Sequence, residues 1–234
     1  MSHPVTHLGA EEVVFADLIN GHAQSKSGYC KIVFCGEQAA RDNLTYFWVD
    51  SWCINKDSSA ELTEAINSMF RWYHGAVKCY VYLSDVSASA SDASQTAWEA
   101  NFRKSKCFTR GWTLQEFLAP AVIEFYSCQH QRLGDKESLN RLIHDITRIP
   151  LEVLRGQDLE TFSVEERMAW ATERQTTKNE VQAYCLLGLF NIFMPLIYGE
   201  GKDSAMRRLR RELDGAPTAG MAFADDRTTH ADML

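Results

Sequence analysis

"LTYFWVDSWCINKDSSAELTEAINSMFRWYHGAVKCYVYLSD", running from Leu44 to Asp85, decides the fold class. It opens on a continuous apolar and aromatic run ending at Asp50, the pattern of a strand buried on both faces. Ser58 or Ser59 then caps a helix, with Glu61 or Glu64 completing the cap. Leu62, Ile66, Met69, Phe70 and Tyr73 recur at helical spacing, and Gly75 closes the helix. Val77 to Leu83, β-branched and aromatic, reads as a second strand. Strand, helix and strand within about forty residues is the length of a parallel βαβ unit with a right-handed crossover.

Working outward from this unit, the pattern continues on the C-terminal side. Ser87 to Ala97 is rich in small turn-forming residues and reads as a mobile surface loop. A helix follows over Phe108–Leu118, stopped by Pro120, and "AVIEFYS" supplies a third strand and a second crossover. From Ser138 the pattern becomes helical, in "SLNRLIHDITRI", in "SVEERMAWATER" with its Ser163–Glu166 capping box, in "NEVQAYCLLGLFNI" and in "KDSAMRRLRREL". On the N-terminal side "YCKIVFCGEQAARDN" is an apolar segment running into a helix, while "EEVVFADLING" fits a short strand or a helix lead-in. The expected architecture is therefore α/β over residues 1–137, a helical part over 138–214, and a disordered tail over 215–234.

Composition bounds the function. A chain of 234 residues that is 45% hydrophobic and 11% aromatic has material for one large packed domain. Its net charge of −7, with both signs interspersed, argues against a nucleic-acid partner. No apolar run approaches the roughly 18 residues of a membrane span, and no signal peptide opens the chain. Seven scattered cysteines with no CxxC pair suit free thiols in a reducing cytosol, and dispersed histidines argue against a structural zinc. The expected location is cytoplasmic.

Two groups of residues invite a chemical reading. Asp50 stands at the carboxyl end of the first expected strand, where open α/β sheets bind ligands; it equally suits a cap on the next loop, and Asn55-Lys56-Asp57 a solvated turn. In "KCFTRGWTLQEFLAP", Lys106 to Pro120, Trp112 and Glu116 are four residues apart and share a helix face. An indole beside a carboxylate suits a flat cationic ring or an incipient cation. Spacing alone also allows Trp112 in the core and Glu116 paired with Arg110 or the helix amino end. Cys53 and Cys107 have no histidine nearby in sequence to activate them as nucleophiles. The basic helix of Lys202, Arg207, Arg208, Arg210 and Arg211 reads as a solvated face.

"YFWVDSWCINKDSSAELTEAINSMFRWYHGAVKCYVYLSDV", "FTRGWTLQEFLAP", "ERMAWATERQTTKNEVQAYCLLGLF" and "MPLIYGEG" together resemble the fungal heterokaryon-incompatibility (HET) domain, in that family's order, from about His7 to Leu213. The resemblance implies a trigger of regulated cell death on fusion of unlike hyphae, with self-association or other cell-death proteins as partners. It also implies distant kinship with TIR domains, and so a TIR-like, mostly parallel sheet with flanking helices. In TIR enzymes a glutamate on the helix equivalent to "WTLQE" drives cleavage of the nicotinamide–ribose bond of NAD. Carried over by position, that glutamate is Glu116, with Asp50, Trp52, Asn55, Arg110 and Trp112 as substrate-binding candidates. NAD would be a substrate, and no resident cofactor or metal is implied.

This chain departs from the family pattern at Leu8, at Trp52-Cys53-Ile54-Asn55, at Lys106-Cys107 and at Glu180-Val181. Those changes open a second expectation, a scaffold turned to another small molecule of secondary metabolism with Leu8, Trp52, Asn55 and Cys107 lining its pocket. A third is a non-catalytic interaction module. The altered opening motif and the lack of a receptor portion lead to expecting a stand-alone protein.

Overall fold

Strand β1, Cys79–Leu83, is buried along its whole length and sorts its side chains to two sides. Cys79, Val81 and Leu83 enter the main hydrophobic core, whereas Tyr80 and Tyr82 enter a smaller cluster with Phe34, Cys35, Val49 and Tyr126. This is the period-two alternation of a strand covered on both faces. Strand β2, Ile123–Ser127, pairs with it in parallel, Cys79 opposite Ile123 and Leu83 opposite Ser127. Strand β3, Arg132–Asp135, returns antiparallel on the far side of β2. The turn between them is closed by Ser127 N–H on the Gln131 carbonyl at 2.9 Å, with His130 left-handed at φ 65°.

The computed structural model describes residues 12–88 and 96–215. Around the sheet lie helices α1 Phe15–Ile19, α2 Tyr29–Arg41, α3 Asp50–Cys53, α4 Ser59–His74, α5 Thr96–Arg103, α6 Thr113–Leu118, α7 Asn140–Thr147, α8 Leu151–Leu154, α9 Val164–Ala169, α10 Val181–Tyr184 and α11 Lys202–Gly215. The β1–β2 crossover runs through α5, a 3₁₀ turn at Lys106–Phe108 and α6, as a parallel pair requires. The described residues thus form a mixed α/β structure with a small sheet, and the elements after β3 are helical. The opening motif around Leu8, most of the Ser87–Ala97 loop and the tail after Gly215 lie outside the described residues.

One expected element requires correction. The run ending at Asp50 is not a sheet strand among the described residues, so the first βαβ unit does not form. The sheet therefore holds one parallel and one antiparallel pairing instead of being mostly parallel. The side chains nevertheless alternate. Trp48 packs edge-on to Trp72 and Tyr73 of α4 in the main core, at 5.5 and 5.7 Å between ring centroids, while Val49 joins the smaller cluster. What ends the extended run is local: the N–H groups of Trp52 and Cys53 both turn back onto the Val49 carbonyl, at 3.1 and 2.8 Å, and open α3. Burial on alternate sides was legible in the residues; strand pairing was not.

Helix α4 follows its pattern. Ser58 is the cap, accepting the Glu61 N–H at 3.3 Å, and Ala65, Ile66, Met69, Phe70 and Tyr73 face inward. The Glu61 carboxylate instead accepts the Asn55 N–H at 2.8 Å, and Gly75 ends the helix on the Arg71 carbonyl. The expected capping box at Ser163 and Glu166 is present in both directions, at 2.8 and 3.2 Å. The expected helix over Phe108–Leu118 is shorter, beginning at Thr113 with Trp112 in the cap position. "NEVQAYCLLGLFNI" likewise divides into α10 and a 3₁₀ turn, Leu187–Phe190, ended by left-handed Asn191 at φ 52°.

The 3₁₀ turn exists for a packing reason. A Cβ on Gly188 would lie 2.1 Å from Cβ of Phe70, so the turn rests with its bare backbone on α4. Gly188→Ala is expected to overpack this contact and cost about 1–3 kcal/mol, a lowering of several degrees in the thermal unfolding midpoint. An unchanged midpoint would show that α4 and the turn can separate freely.

Candidate functional site

Helix α6 is only six residues long, and all six are buried. So short a helix holds its position through what grips its ends. At its amino end the Thr113 hydroxyl donates to the Cys107 carbonyl at 2.5 Å and accepts from the Arg174 guanidinium at 2.8 Å. Arg174 donates also to the Arg110 carbonyl at 2.9 Å and to the Trp170 carbonyl at 3.3 Å. Main-chain bonds complete the seam: Gln175 N–H to Thr109 at 2.6 Å and Gly111 N–H to Gln175 at 2.9 Å. A Cβ on Gly111 would meet Thr176 at 2.6 Å and the Cys185 sulfur at 3.1 Å, so only glycine allows this approach. Further along, the Gln115 side chain donates to the Cys185 carbonyl at 2.7 Å. "FTRGWTLQEF" is thereby stitched to "WATERQTT" and to "AYCLL", motifs about sixty to seventy residues later in the chain.

This frame turns Glu116 inward, where it is 2% exposed. Groups from separate elements lie within reach of its charge. Lys31 of α2 is 3% exposed, and burial pulls its ammonium below the ordinary lysine value, opposed first by Asp50, then by Glu12, Cys35 and Glu116. Tyr73 of α4 is 1% exposed, and burial pushes its phenol well up, with the Glu116 and Asp50 charges adding to the effect. Arg174, 4% exposed, falls to about 10 through burial but stays cationic at neutral pH, with Glu116 among the groups supporting its charge. Lys31, Asp50, Tyr73 and Glu116 thus lie in one field although they come from four helices. Arg174 lies in the field of Glu116 as well; Lys31, Tyr73, Glu116 and Arg174 are buried, and Asp50 is half-buried.

Neither Lys31 Nζ nor the Tyr73 hydroxyl has a hydrogen-bond partner among the described residues, and the indole nitrogen of Trp52 is in the same condition. Buried donors of this kind are rare in folded proteins and mark a place where stability has been given up. Among the described residues no group of three or more His, Cys, Asp or Glu side chains is arranged to hold a metal ion.

The sequence-derived candidates divide. Asp50 and Glu116 come into one electrostatic neighbourhood, and half-buried Trp52 follows Asp50 on α3 beside Phe47, at 6.2 Å between centroids. Half-buried Trp112 packs against the main core at the start of α6. Arg110 takes part through its carbonyl, which receives Arg174. Asn55 is occupied with its own loop, its side-chain oxygen accepting the Asp57 N–H at 3.1 Å. Burial pushes the Cys107 thiol well up, which makes it a poor nucleophile, whereas the Cys53 side chain is exposed at the end of α3. All seven cysteines are free thiols, four of them buried.

Three members of the set escaped the sequence reading. Tyr73 was visible only as a core residue of α4. Lys31 carried a usable signal: it shares an α2 face with Phe34, Cys35 and Gln38, so a lysine interrupts an otherwise inward stripe. Arg174 gave none, because its partners are main-chain carbonyls and a hydroxyl distant in sequence.

The family model for "Heterokaryon incompatibility protein (HET)" matches residues 35–101. A curated relative, "Vegetative incompatibility protein HET-E-1" of Podospora anserina, is 54% identical over 220 residues, covering 93% of this chain. The chain belongs to the HET family. It spans 16% of that relative's length. No solved structure matches it. The segment matched by the HET model contains Asp50, Trp52 and Tyr73 but ends before Glu116, whereas the HET-E-1 alignment extends over nearly the whole chain. Among the described residues of this HET domain no helix is long and apolar enough to cross a membrane.

Proposed function

We propose that this HET domain acts in heterokaryon incompatibility, and that it does so by cleaving the nicotinamide–ribose bond of NAD at Glu116. Family membership supports the first part, together with the name of the relative, a vegetative incompatibility protein. The single observation that carries the second is the placement of Glu116, a carboxylate buried among Lys31, Asp50, Tyr73 and Arg174. The kinship with TIR domains, drawn from the order of motifs, names the chemistry.

The reaction asks little of the protein. The C1′–N bond breaks, its electron pair goes to the pyridinium nitrogen, and nicotinamide leaves neutral without a general acid. Positive charge appears on the ribose, water adds at C1′, and one proton is released. A single carboxylate in a dry setting stabilises that developing charge. At 2% exposure Glu116 is covered, so a dinucleotide reaches it only after a covering segment moves aside. Association with another copy or partner is the expected trigger.

A second reading, an interaction module without chemistry, is favoured by one surface feature. Phe193, Ile197 and Tyr198 are exposed within six residues of one another in "FMPLIY". Incubating the purified chain with NAD at rising protein concentration, and following nicotinamide by chromatography, separates the two. Release that grows faster than concentration supports the first reading. No release at any concentration leaves the second.

A further inference from the structure

Helix α11 is a basic element in a chain whose net charge is −7. It seats Ala205 and Leu209 in the main core and leaves Lys202, Arg207, Arg210 and Arg211 exposed. The ion pair that α11 makes among the described residues is a different one, Arg208 with Glu200. Arg208 also donates to the Pro195 carbonyl, which ties the loop carrying exposed Ile197 and Tyr198 to the helix. On the outer face Lys202, Asp203, Met206, Arg207 and Arg210 surround a shallow hollow of about 270 Å³, with half-buried Met206 as its apolar part. An apolar centre inside a charged rim is the make-up of a protein-binding surface. Three cations against one carboxylate at that rim ask for an acidic occupant. Two such faces would repel each other, so the occupant is a different surface.

The same chain carries one. "DLETFSVEE", Asp158 to Glu166, runs through the 3₁₀ turn Leu159–Thr161 into α9 and exposes Asp158, Glu160, Glu165 and Glu166. Half-buried Leu159, Phe162 and Val164 lie between them, and no other described stretch of this length exposes as many carboxylates. The next cation along, Arg167, is spent on the Leu189 carbonyl at 2.9 Å and on the Phe190 ring. We propose that the exposed face of α11 docks the acidic 158–166 segment of a second copy of this chain. Because the two surfaces differ, α11 of one copy meets 158–166 of another, a heterologous contact. As the trigger for cleavage this contact rests on the reading above; as a contact it rests on the two surfaces alone.

Sedimentation velocity of the purified chain, without NAD, tests the contact. The wild type is expected to self-associate at concentrations below about 1 mM, the weak end of specific binding. It should dissociate as salt rises from about 0.1 M to about 1 M, which shortens the screening length from about 10 Å to about 3 Å. That response needs no variant to fold. Arg207→Glu with Arg210→Glu is expected to weaken association at least about 100-fold, as is Glu160→Lys with Glu165→Lys, because each pair sets like charges opposite one another. All four side chains are exposed and none caps a helix, and circular dichroism checks that both variants fold. An equimolar mixture of the two double variants is expected to associate again, since the reversed α11 of one faces the reversed segment of the other. A wild type still monomeric at about 1 mM overturns the proposal. So does association indifferent to salt, or a mixture of folded variants that stays monomeric. A monomeric chain that cosediments with phosphatidylserine vesicles through Arg207 and Arg210 also overturns it, giving α11 an anionic lipid surface as its occupant. Association as expected, with no nicotinamide release at any concentration, supports the contact and removes the reading of Glu116 as an NAD-cleaving residue.

Discussion

Glu116→Gln is expected to reduce nicotinamide release by about 10²–10³-fold, the usual consequence of removing one preorganised electrostatic group from a transition state. Glutamine keeps the shape and the hydrogen-bonding reach of the side chain, so the change isolates the charge. Glu116 is buried, and its charge acts on buried Lys31 and Arg174. Deleting that carboxylate withdraws support from two buried cations, and some stability is expected to go with the activity. Thermal unfolding in parallel separates these effects. A folded variant without turnover supports the assignment, and a folded variant with full turnover removes it. Asp50→Asn is the natural control, since it changes the same field from a side chain that follows the 44–49 run instead of one framed by α6.

Arg174→Met is expected to have the largest effect on the fold. It withdraws donors from the Arg110 carbonyl, the Thr113 hydroxyl and the Trp170 carbonyl, and it removes a positive charge from the field of buried Glu116. Breaking a buried, hydrogen-bonded charge typically costs about 3–5 kcal/mol. For a chain of this size each kcal/mol moves the unfolding midpoint by about 2–4 °C, so a fall of roughly 10 °C is expected by calorimetry. Arg174→Lys should recover little, because an ammonium cannot reproduce the guanidinium fork that reaches carbonyl and hydroxyl together. A midpoint within a degree or two of the wild type would mean that the main-chain bonds of Gly111 and Gln175 hold α6 unaided.

How far the residues foretold this arrangement depends on the range of the interaction involved. Ser58, Gly75 and the Ser163–Glu166 box announce themselves, because a cap is settled within four residues of sequence. Short apolar runs are ambiguous in a way the caps are not: "YFWV" and "CYVYL" look alike, yet only the second is paired in the sheet, since pairing depends on a neighbour supplied from elsewhere in the chain. β3 was invisible for the opposite reason, being a polar four-residue strand that exists because β2 and a tight turn present it with a partner. At the site, Asp50 and Glu116 could be singled out by residue type and motif. Their meeting, and the arrival of Lys31 and Tyr73 beside them, follows from packing between helices far apart in sequence.

The long-range stitching of α6 bears on how the polypeptide can be divided. The expected boundary near residue 137 separates strands from helices on paper, but Arg174, Gln175, Thr176 and Cys185 lie beyond it and form the wall against which Gly111 and Gln115 are seated. A truncated N-terminal portion would keep every sheet strand and yet lose the vice that aims Glu116. Any dissection meant to preserve the proposed chemistry therefore has to carry the chain through at least Cys185 as one piece.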